Sequence, residues 1–350
     1  MSKRGWLPRS SVPSDRVAVI DDLEAAGKLV EAVDVLAVLN RERRGAEFEV
    51  RLVDLRARAA AGWEPGGGRT PWPPAYADPF PELKGSIPEI DRSLLNEKTM
   101  GGAVAHHGAL LVRGLLDAEP VDRCRTAIDQ IHELREAQTP ARPRADAERW
   151  LRPMPLFPRP FDPVLRENGS EQGGTWLADS PAVAAFVLDD LADAGVLQII
   201  AGHFGERPFF SLQKSTLRRT LPVFNRVAWH QDGAFLSEGV RTMNVWVALS
   251  RCGGDLPTPS LEVIPRRFDS VLPAEGRLIV HSVANTLVEE LAVETPTIRP
   301  EFMPGDAILF DERFLHRTYL APEMTDIRYA LECWFFAPSH QTADYTPLLA

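Results

Sequence analysis

From residue 208 onward the chain predicts a mainly β fold with flanking helices: a jelly roll, a β-sandwich or a barrel. Short apolar segments follow one another there: FFSLQKSTLRRT, RVAWHQDGAFL, TMNVWVALS, SLEVIP, RLIVHS, DAILF, FLHRTYL and RYALECWFFA. Turn residues (GG, PTP, PEG, PGD, APEMTD) separate them at short intervals, the pattern of closely spaced antiparallel strands. Helical patterns are collected ahead of these strands, so they are expected to cover one outer face of the sheet.

The first of those patterns runs over residues 16–61. VAVIDDLEAAGKLVEAVDVLAVLN places Val19, Leu23, Leu29, Val33 and Leu36 at three- and four-residue steps, RRG interrupts, and AEFEVRLVDLRARAAA sets Phe48, Leu52 and Leu55 opposite its charges. This predicts a helical hairpin, or one long helix with a break. It has no second copy, so a repeat array is not expected. Residues 62–82, GWEPGGGRTPWPPAYADPFPE, are rich in Gly and Pro, which interrupt both helix and sheet. The expected division is therefore a helical appendage with its linker over 1–80 and the β domain over 81–350. Within the latter, HHGALLVRGLL (106–116) reads as a strand, AEPVDRCRTAIDQIHELREA as an amphipathic helix, and 180–205 as one or two more helices.

Composition narrows the class. The chain has 350 residues, 44% hydrophobic and 25% charged, with a formal net charge of −10. That acidity argues against nucleic acid as the main partner, since phosphate binding needs a basic surface. Cys124, Cys252 and Cys333 are far apart and never in a CxxC pair, so neither a disulfide framework nor a zinc-finger spacing is present. MSKRGWLPRSS lacks the apolar run of a secretory signal, and no stretch approaches the roughly 18 apolar residues of a membrane span. A soluble, cytoplasmic protein with a small-molecule partner, monomeric or homodimeric, is expected.

The chemistry centres on AWHQDGAFL. His230 and Asp232 lie two apart, so on a strand both side chains would point to one side while Gln231 points elsewhere. An HxD pair alone also fits a polar pair at a strand end. Further along, His316 and Thr318 lie in FLHRTYL and Arg328 opens RYALECWFF. In a closed roll, distant strands can be neighbours and complete one site. Two imidazoles and one carboxylate leave open positions suited to a non-haem Fe(II) that binds a co-substrate and dioxygen. An arginine nearby offers a planar two-pronged donor for a distal carboxylate of that co-substrate, and Thr318 could add a hydroxyl.

The order WHQD, NVWVAL, SLEVIP, PGDAILFDERFLHRTYLAP, RYALECWFF resembles the phytanoyl-CoA dioxygenase family of Fe(II)/2-oxoglutarate oxygenases, over roughly residues 100–340. GALLVRGLLDAEPVDRCRTAIDQ resembles that family's opening strand and helix. The resemblance implies a double-stranded β-helix, iron ligands His230, Asp232 and His316, and Arg328 on the distal carboxylate of 2-oxoglutarate. It also puts Thr318 at that carboxylate and Gln231 near the co-substrate. Two departures fall on a rim loop: PRRF (265–268) replaces a PGSH-like turn, and SRCGGDLPTPS lacks the usual Asn-Gly pair. Related halogenases have a small residue where Asp232 stands, so hydroxylation or a kindred oxidation is implied.

Substrate residues are expected on the strand before HxD. Its alternation sets Gln213, Ser215, Leu217 and Arg219 on one face, and Lys214 and Arg218 on the other. Gln213 and Arg219 are the candidates, with Phe235, Trp246 and Trp176 as apolar walls. Arg218, Arg219 and Arg226 fit either an anionic substrate or a solvated basic edge. The expectation is an Fe(II)/2-oxoglutarate-dependent dioxygenase that uses O2 to hydroxylate an unactivated C–H of a small molecule, an amino acid or specialised metabolite among the options, with release of succinate and CO2. The competing readings are a non-catalytic jelly-roll binding protein and a cupin-like metalloenzyme without 2-oxoglutarate.

Overall fold

The computed structural model describes residues 14–136, 147–152, 173–211, 214–223, 228–236, 239–274, 281–341 and 346–350. Two sheets face one another. Among the described residues the larger sheet has nine strands, in the order β1 (Glu89–Asp91), β2 (Ala109–Arg113), β8 (Ala307–Phe310), β6 (Thr242–Ala248), β10 (Arg328–Phe336), β4 (Phe209–Ser211) and β11 (Pro347–Leu349). β5 (Thr216–Thr220) also pairs with β10 and carries β3 (Gly174–Trp176) on its far edge. The smaller sheet pairs β7 (Ser260–Val263) with β9 (His316–Tyr319), Val263 opposite His316. This is a jelly roll, the double-stranded β-helix that the resemblance implies.

Period-two alternation sorts the two faces of the large sheet. Met243, Val245 and Val247 of β6, Leu309 of β8, Leu217 of β5 and Leu331, Cys333 and Phe335 of β10 enter one core with the helices. Their neighbours Trp246, Ala248, Ile308, Phe310 and Ala330 face the small sheet, with Leu261 and Val263 opposite. The register holds this sorting across strands, with Arg328 opposite Thr220, Ala330 opposite Arg218 and Glu332 opposite both Thr216 and Trp246.

The helix-backed face is closed by α4 (Glu97–His107), α5 (Ala118–Glu136), α7 (Pro181–Asp193) and α8 (Val196–Phe204), with the single turn α6 (Ala147–Trp150) beside them. α4 is capped by Asn96, whose side chain accepts from Thr99 N, and it ends at Gly108 in the left-handed region.

The N-terminal segment forms three helices, α1 (Ser14–Ala25), α2 (Leu29–Glu42) and α3 (Ala46–Ala61). RRG breaks α2 from α3 as expected, while a second break falls at Gly27, whose φ of 73° suits glycine. Val33, Leu36, Phe48, Leu52 and Leu55 bury as their spacing predicts, but Val19 is exposed. This core continues into Ala185 of α7, Phe209 of β4 and Leu349 of β11. Glu49, fully buried, receives two hydrogen bonds from Arg149 at 2.6 and 2.7 Å, and Arg56 donates to Leu349 O.

Two expected strands differ. FFSLQKSTLRRT is two strands parted by a turn, so one alternation does not run through it. RVAWHQDGAFL keeps only a bridge at His230 and then coils into a 3-10 turn, Asp232–Phe235. Of a further expected strand, RLIVHS, residues 277–280 lie outside the described residues. A helix not expected from the strand-rich pattern, α9 (Asn285–Glu294), covers Trp229, Ile264 and Leu315 from outside through Val288.

Candidate active site

His230 and His316 exchange both backbone hydrogen bonds, N to O at 3.0 and 3.1 Å, which makes them an antiparallel pair at the edge of the small sheet. Their rings stand 4.4 Å apart. The chain then leaves the sheet. Gly233 N donates to Glu312 O at 2.8 Å, and a Cβ at Gly233 would meet Val271 Cγ2 at 2.7 Å and Glu312 O at 3.0 Å. The missing side chain lets the backbone turn tightly enough to swing Asp232 back under the imidazoles. Ligand-type atoms of His230, Asp232 and His316 all lie within 4.8 Å of one another.

The tautomers are fixed from behind. Nδ1 of His230 donates to Ala228 O at 2.9 Å, and Nδ1 of His316 donates to Phe314 O at 3.0 Å. Each ring therefore keeps its Nε2 lone pair bare and aimed at the others. Burial, and then the neighbouring His316, push the His230 imidazolium down to about 4; burial also lowers His316. Burial raises Asp232, with His230 pulling it the other way. Its Oδ2 is buried with no hydrogen-bond partner among the described residues. Two neutral imidazoles and an under-satisfied carboxylate are a donor set for a divalent cation, whose charge would reverse the electrostatics that hold Asp232 up.

His230 and His316 line a cavity of about 350 Å3 that also touches Arg218, Thr220, Trp246, Thr318, Arg328 and Glu332, with Asp232 beside the two imidazoles. Arg328 is 2% exposed. Its Nη2 donates to Thr220 Oγ1 at 3.1 Å, and its guanidinium carbon lies 5.6 Å from the Trp246 ring centre. Nε and Nη1 are buried without a partner among the described residues. Burial lowers this guanidinium to about 10. A buried cation with unmet donors fits a carboxylate that arrives with a ligand.

The sequence expectations divide. His230, Asp232, His316, Thr318, Arg328 and Trp246 converge. Gln231 does not: it is fully buried on the opposite side, donating to Arg313 O at 2.6 Å and Ser270 O at 3.4 Å and accepting from Leu272 N at 2.6 Å. Its amide is spent on the loop behind the site. Arg219 lies on the helix-backed side with Leu217, near Asp129 and Glu136 of α5 at 3.7 and 3.9 Å. Trp176 packs on that same side. Phe235 stands beside the metal-type cluster, its ring 6.2 Å from that of His230, with Lys214 Nζ 3.9 Å from its centre. Gln213 and Arg226 lie outside the described residues.

Arg218, from the face set against Arg219, lines the cavity. Glu332 was not expected there. It sits four residues after Arg328 on β10 and hence on the same face. Burial alone would raise its carboxyl, but Arg218, Trp334 and His316 hold it down at about 2. The parity of RYALECWFF contained that signal.

A profile of the phytanoyl-CoA dioxygenase (PhyH) family matches residues 104–320, more than half of the chain. The chain belongs to the phytanoyl-CoA dioxygenase family. This PhyH-family chain is thus a 2-oxoglutarate-dependent oxygenase, with iron as cofactor and 2-oxoglutarate and dioxygen as co-substrates. Among solved structures it is similar to apo EctD from S. alaskensis, at 20% identity and TM-score 0.48 over 68% of this chain and 75% of that one. It is also similar to AviO1 from Streptomyces viridochromogenes Tue57, at 16% and 0.43 over 69% and 94%. A third is EvdO2 from Micromonospora carbonacea var. aurantiaca complexed with 2-oxoglutarate, at 18% and 0.39 over 71% and 90%. No individually curated protein matches the PhyH-family chain. Among the described residues no helix is long and apolar enough to cross a membrane.

Proposed function

We propose that the chain hydroxylates an unactivated C–H bond of a small molecule at an iron held by His230, Asp232 and His316, with 2-oxoglutarate held by Arg328. The observation that carries this reading is a His/Asp/His cluster whose two neutral imidazoles open onto the same cavity as a buried arginine, two of whose nitrogens lack partners among the described residues.

When bound, iron with 2-oxoglutarate and dioxygen supplies an oxidant strong enough to hydroxylate carbon, one oxygen atom of O2 ending in succinate and the other in product, with loss of CO2. The chain's own residues do the rest. Ala228 O and Phe314 O orient the two imidazoles before any metal arrives, so no ligand rearrangement is needed on binding. Asp232 contributes the charge that an N-only set lacks. Arg328 and Thr318 fix the far end of the keto acid, with Thr220 holding the guanidinium fork in place. Trp246 and Phe310 wall the cavity and keep water from the reacting carbon.

An anaerobic titration tests this. Metal-free protein receives Fe(II), then 2-oxoglutarate, and the weak visible charge-transfer band of a chelated keto acid is followed. The band is expected in wild type and lost in His230→Ala, whose iron binding also fails. Iron binding with no band favours a cupin-like enzyme indifferent to 2-oxoglutarate. No iron binding at all favours a binding protein built on the roll.

A further inference from the structure

Beyond the keto-acid site, the cavity has a second guanidinium whose environment is unlike that of Arg328. Arg218 on β5 is fastened to one oxygen of Glu332, by Nε at 3.1 Å and Nη2 at 2.9 Å. That same oxygen accepts from Thr216 Oγ1 at 3.1 Å, and the other accepts from Trp334 Nε1 at 3.0 Å and more weakly from Asn244 Nδ2 at 3.4 Å. Glu332 thus has no lone pair left for a ligand. The clamp leaves Arg218 Nη1 with no hydrogen bond among the described residues, and the Arg218 side chain stays 32% exposed within a cavity wall. Around it lie Leu221, Val223, Leu261 and Leu320, of which Leu221 and Val223 are exposed and mark the mouth.

We propose that Arg218 is the substrate anchor, pairing through its free edge with an anionic group, a carboxylate or a phosphate monoester, on a substrate whose apolar part lies along Leu221, Val223 and Leu320. This rests on the iron and 2-oxoglutarate reading above, and it names the substrate class for that same site.

The reasoning is one of desolvation. A substrate that fills this cavity expels the water that serves Nη1. Stranding a charged donor is costly, so the substrate itself must bring an acceptor to that point. A cationic group has no counterpart there, because Glu332, the one carboxylate among the cavity-lining residues, is saturated. Lys214 adds positive potential on the same side: its Nζ lies 5.8 Å from the ring centre of Trp334, the residue that hydrogen-bonds Glu332. Arg328 does not compete for the same anion, since 2-oxoglutarate's distal carboxylate occupies it. Arg219, on the other face of β5, is screened from the cavity by the strand itself.

The test uses the Fe(II)- and 2-oxoglutarate-loaded protein under anaerobic conditions, titrated with hexanoate, hexyl phosphate, hexan-1-ol and hexylamine by calorimetry. Saturable binding of at least one of the two anions is expected, the alcohol binding at least tenfold more weakly and the amine not at all. Which anion binds tighter separates carboxylate from phosphate. Arg218→Gln alone would leave Glu332 buried and unpaired, so the comparison variant is Arg218→Gln with Glu332→Gln, which removes both charges together. It should keep the keto-acid band of wild type and lose anion binding at least tenfold. Arg218→Lys should recover part of it. The proposal is overturned if neither anion binds, if the alcohol or the amine binds as well as the anions, or if the double variant binds them unchanged. Loss of the keto-acid band in the double variant also overturns it, by moving Arg218 to the co-substrate while leaving the oxygenase reading intact. Absence of the band in wild type strikes the oxygenase reading instead.

Discussion

Replacing Arg328 with methionine should act in opposite directions on two measurements. The guanidinium is held at about 10 against an ordinary 12.5 because burial penalises its charge. At about 1.4 kcal/mol per pKa unit, that depression corresponds to about 3 kcal/mol by which folding is opposed while the group stays protonated. The sign is that of a depressed cation: the penalty is present at neutral pH and is relieved only as pH rises through the folded value toward the unfolded one. Methionine fills similar space beside Trp246 with no charge to desolvate, at the loss of the Thr220 hydrogen bond of about 1 kcal/mol. The metal-free variant should therefore melt at or above the wild-type temperature. Its affinity for 2-oxoglutarate should collapse, because truncating one side of a buried charge pair costs about 2–5 kcal/mol, or about 30-fold to a few thousandfold. Differential scanning calorimetry of the metal-free protein and anaerobic titration of the keto-acid band read the two effects separately. A variant that melts well below wild type and still binds 2-oxoglutarate normally would show that Arg328 is a structural cation, and the reasoning fails.

Three more expectations follow from the same geometry. Burial pushes the His230 imidazolium down to about 4 and lowers His316 as well, so both rings give up their proton more readily than a free imidazole, whereas the Asp232 carboxyl, raised to about 7, competes with a metal. Iron affinity should then fall about tenfold per pH unit on acidification, the slope of one proton; a slope of two or more would mean the rings are protonating. Gln231→Leu should lower stability by about 2–5 kcal/mol, since it strands Leu272 N and Arg313 O, yet leave the affinity for 2-oxoglutarate within about twofold. Urea denaturation and the keto-acid titration check both halves, and a large loss of 2-oxoglutarate affinity in a stable variant would return Gln231 to the co-substrate. His316→Ala should abolish succinate release while leaving the fold intact, because the backbone bonds between residues 316 and 230 do not need the imidazole and survive; retained succinate release would remove His316 from the ligand set.

Much of the site was legible because strand parity is legible. FLHRTYL and RYALECWFF each carry residues two or four apart on one face, and a roll folds those faces together; in HxD only His230 keeps the strand pairing, and the 3-10 turn that follows brings Asp232 in. Arg219 and Gln231 differ from expectation for separate reasons. A single alternation through FFSLQKSTLRRT puts Arg219 in the cavity, but a turn splits that stretch, and Leu217 fixes the parity of the second half. Leucine goes to the helix-backed core, so Arg219 goes with it and Arg218 turns inward. Weighing Leu217 as a core residue would have reversed the choice. Gln231 failed for a different reason. A buried amide can serve a ligand or a loop, and only the positions of Ser270, Leu272 and Arg313, remote in sequence, decide which.

The two arginines that face the cavity differ in how their charges are met. Arg328 and Arg218 lie on adjacent strands, each facing inward, and Arg218 contributes to lowering Arg328. Two like charges on neighbouring strands repel, and the fold relieves this asymmetrically. Glu332 neutralises Arg218 permanently through hydrogen bonds to both its Nε and Nη2, while Arg328 receives only a neutral hydroxyl from Thr220. One cation is thus compensated by the protein and the other waits for compensation from a ligand. The order of events follows from that difference. Filling the uncompensated site with a dianionic co-substrate is the electrostatically favoured first step, and it lowers the positive potential that a second anion would meet. Arg218 can then draw an anionic substrate only through direct contact at its free edge, so a substrate should be held by geometry at that edge, where the target carbon's position is set, rather than by the general field of the cavity.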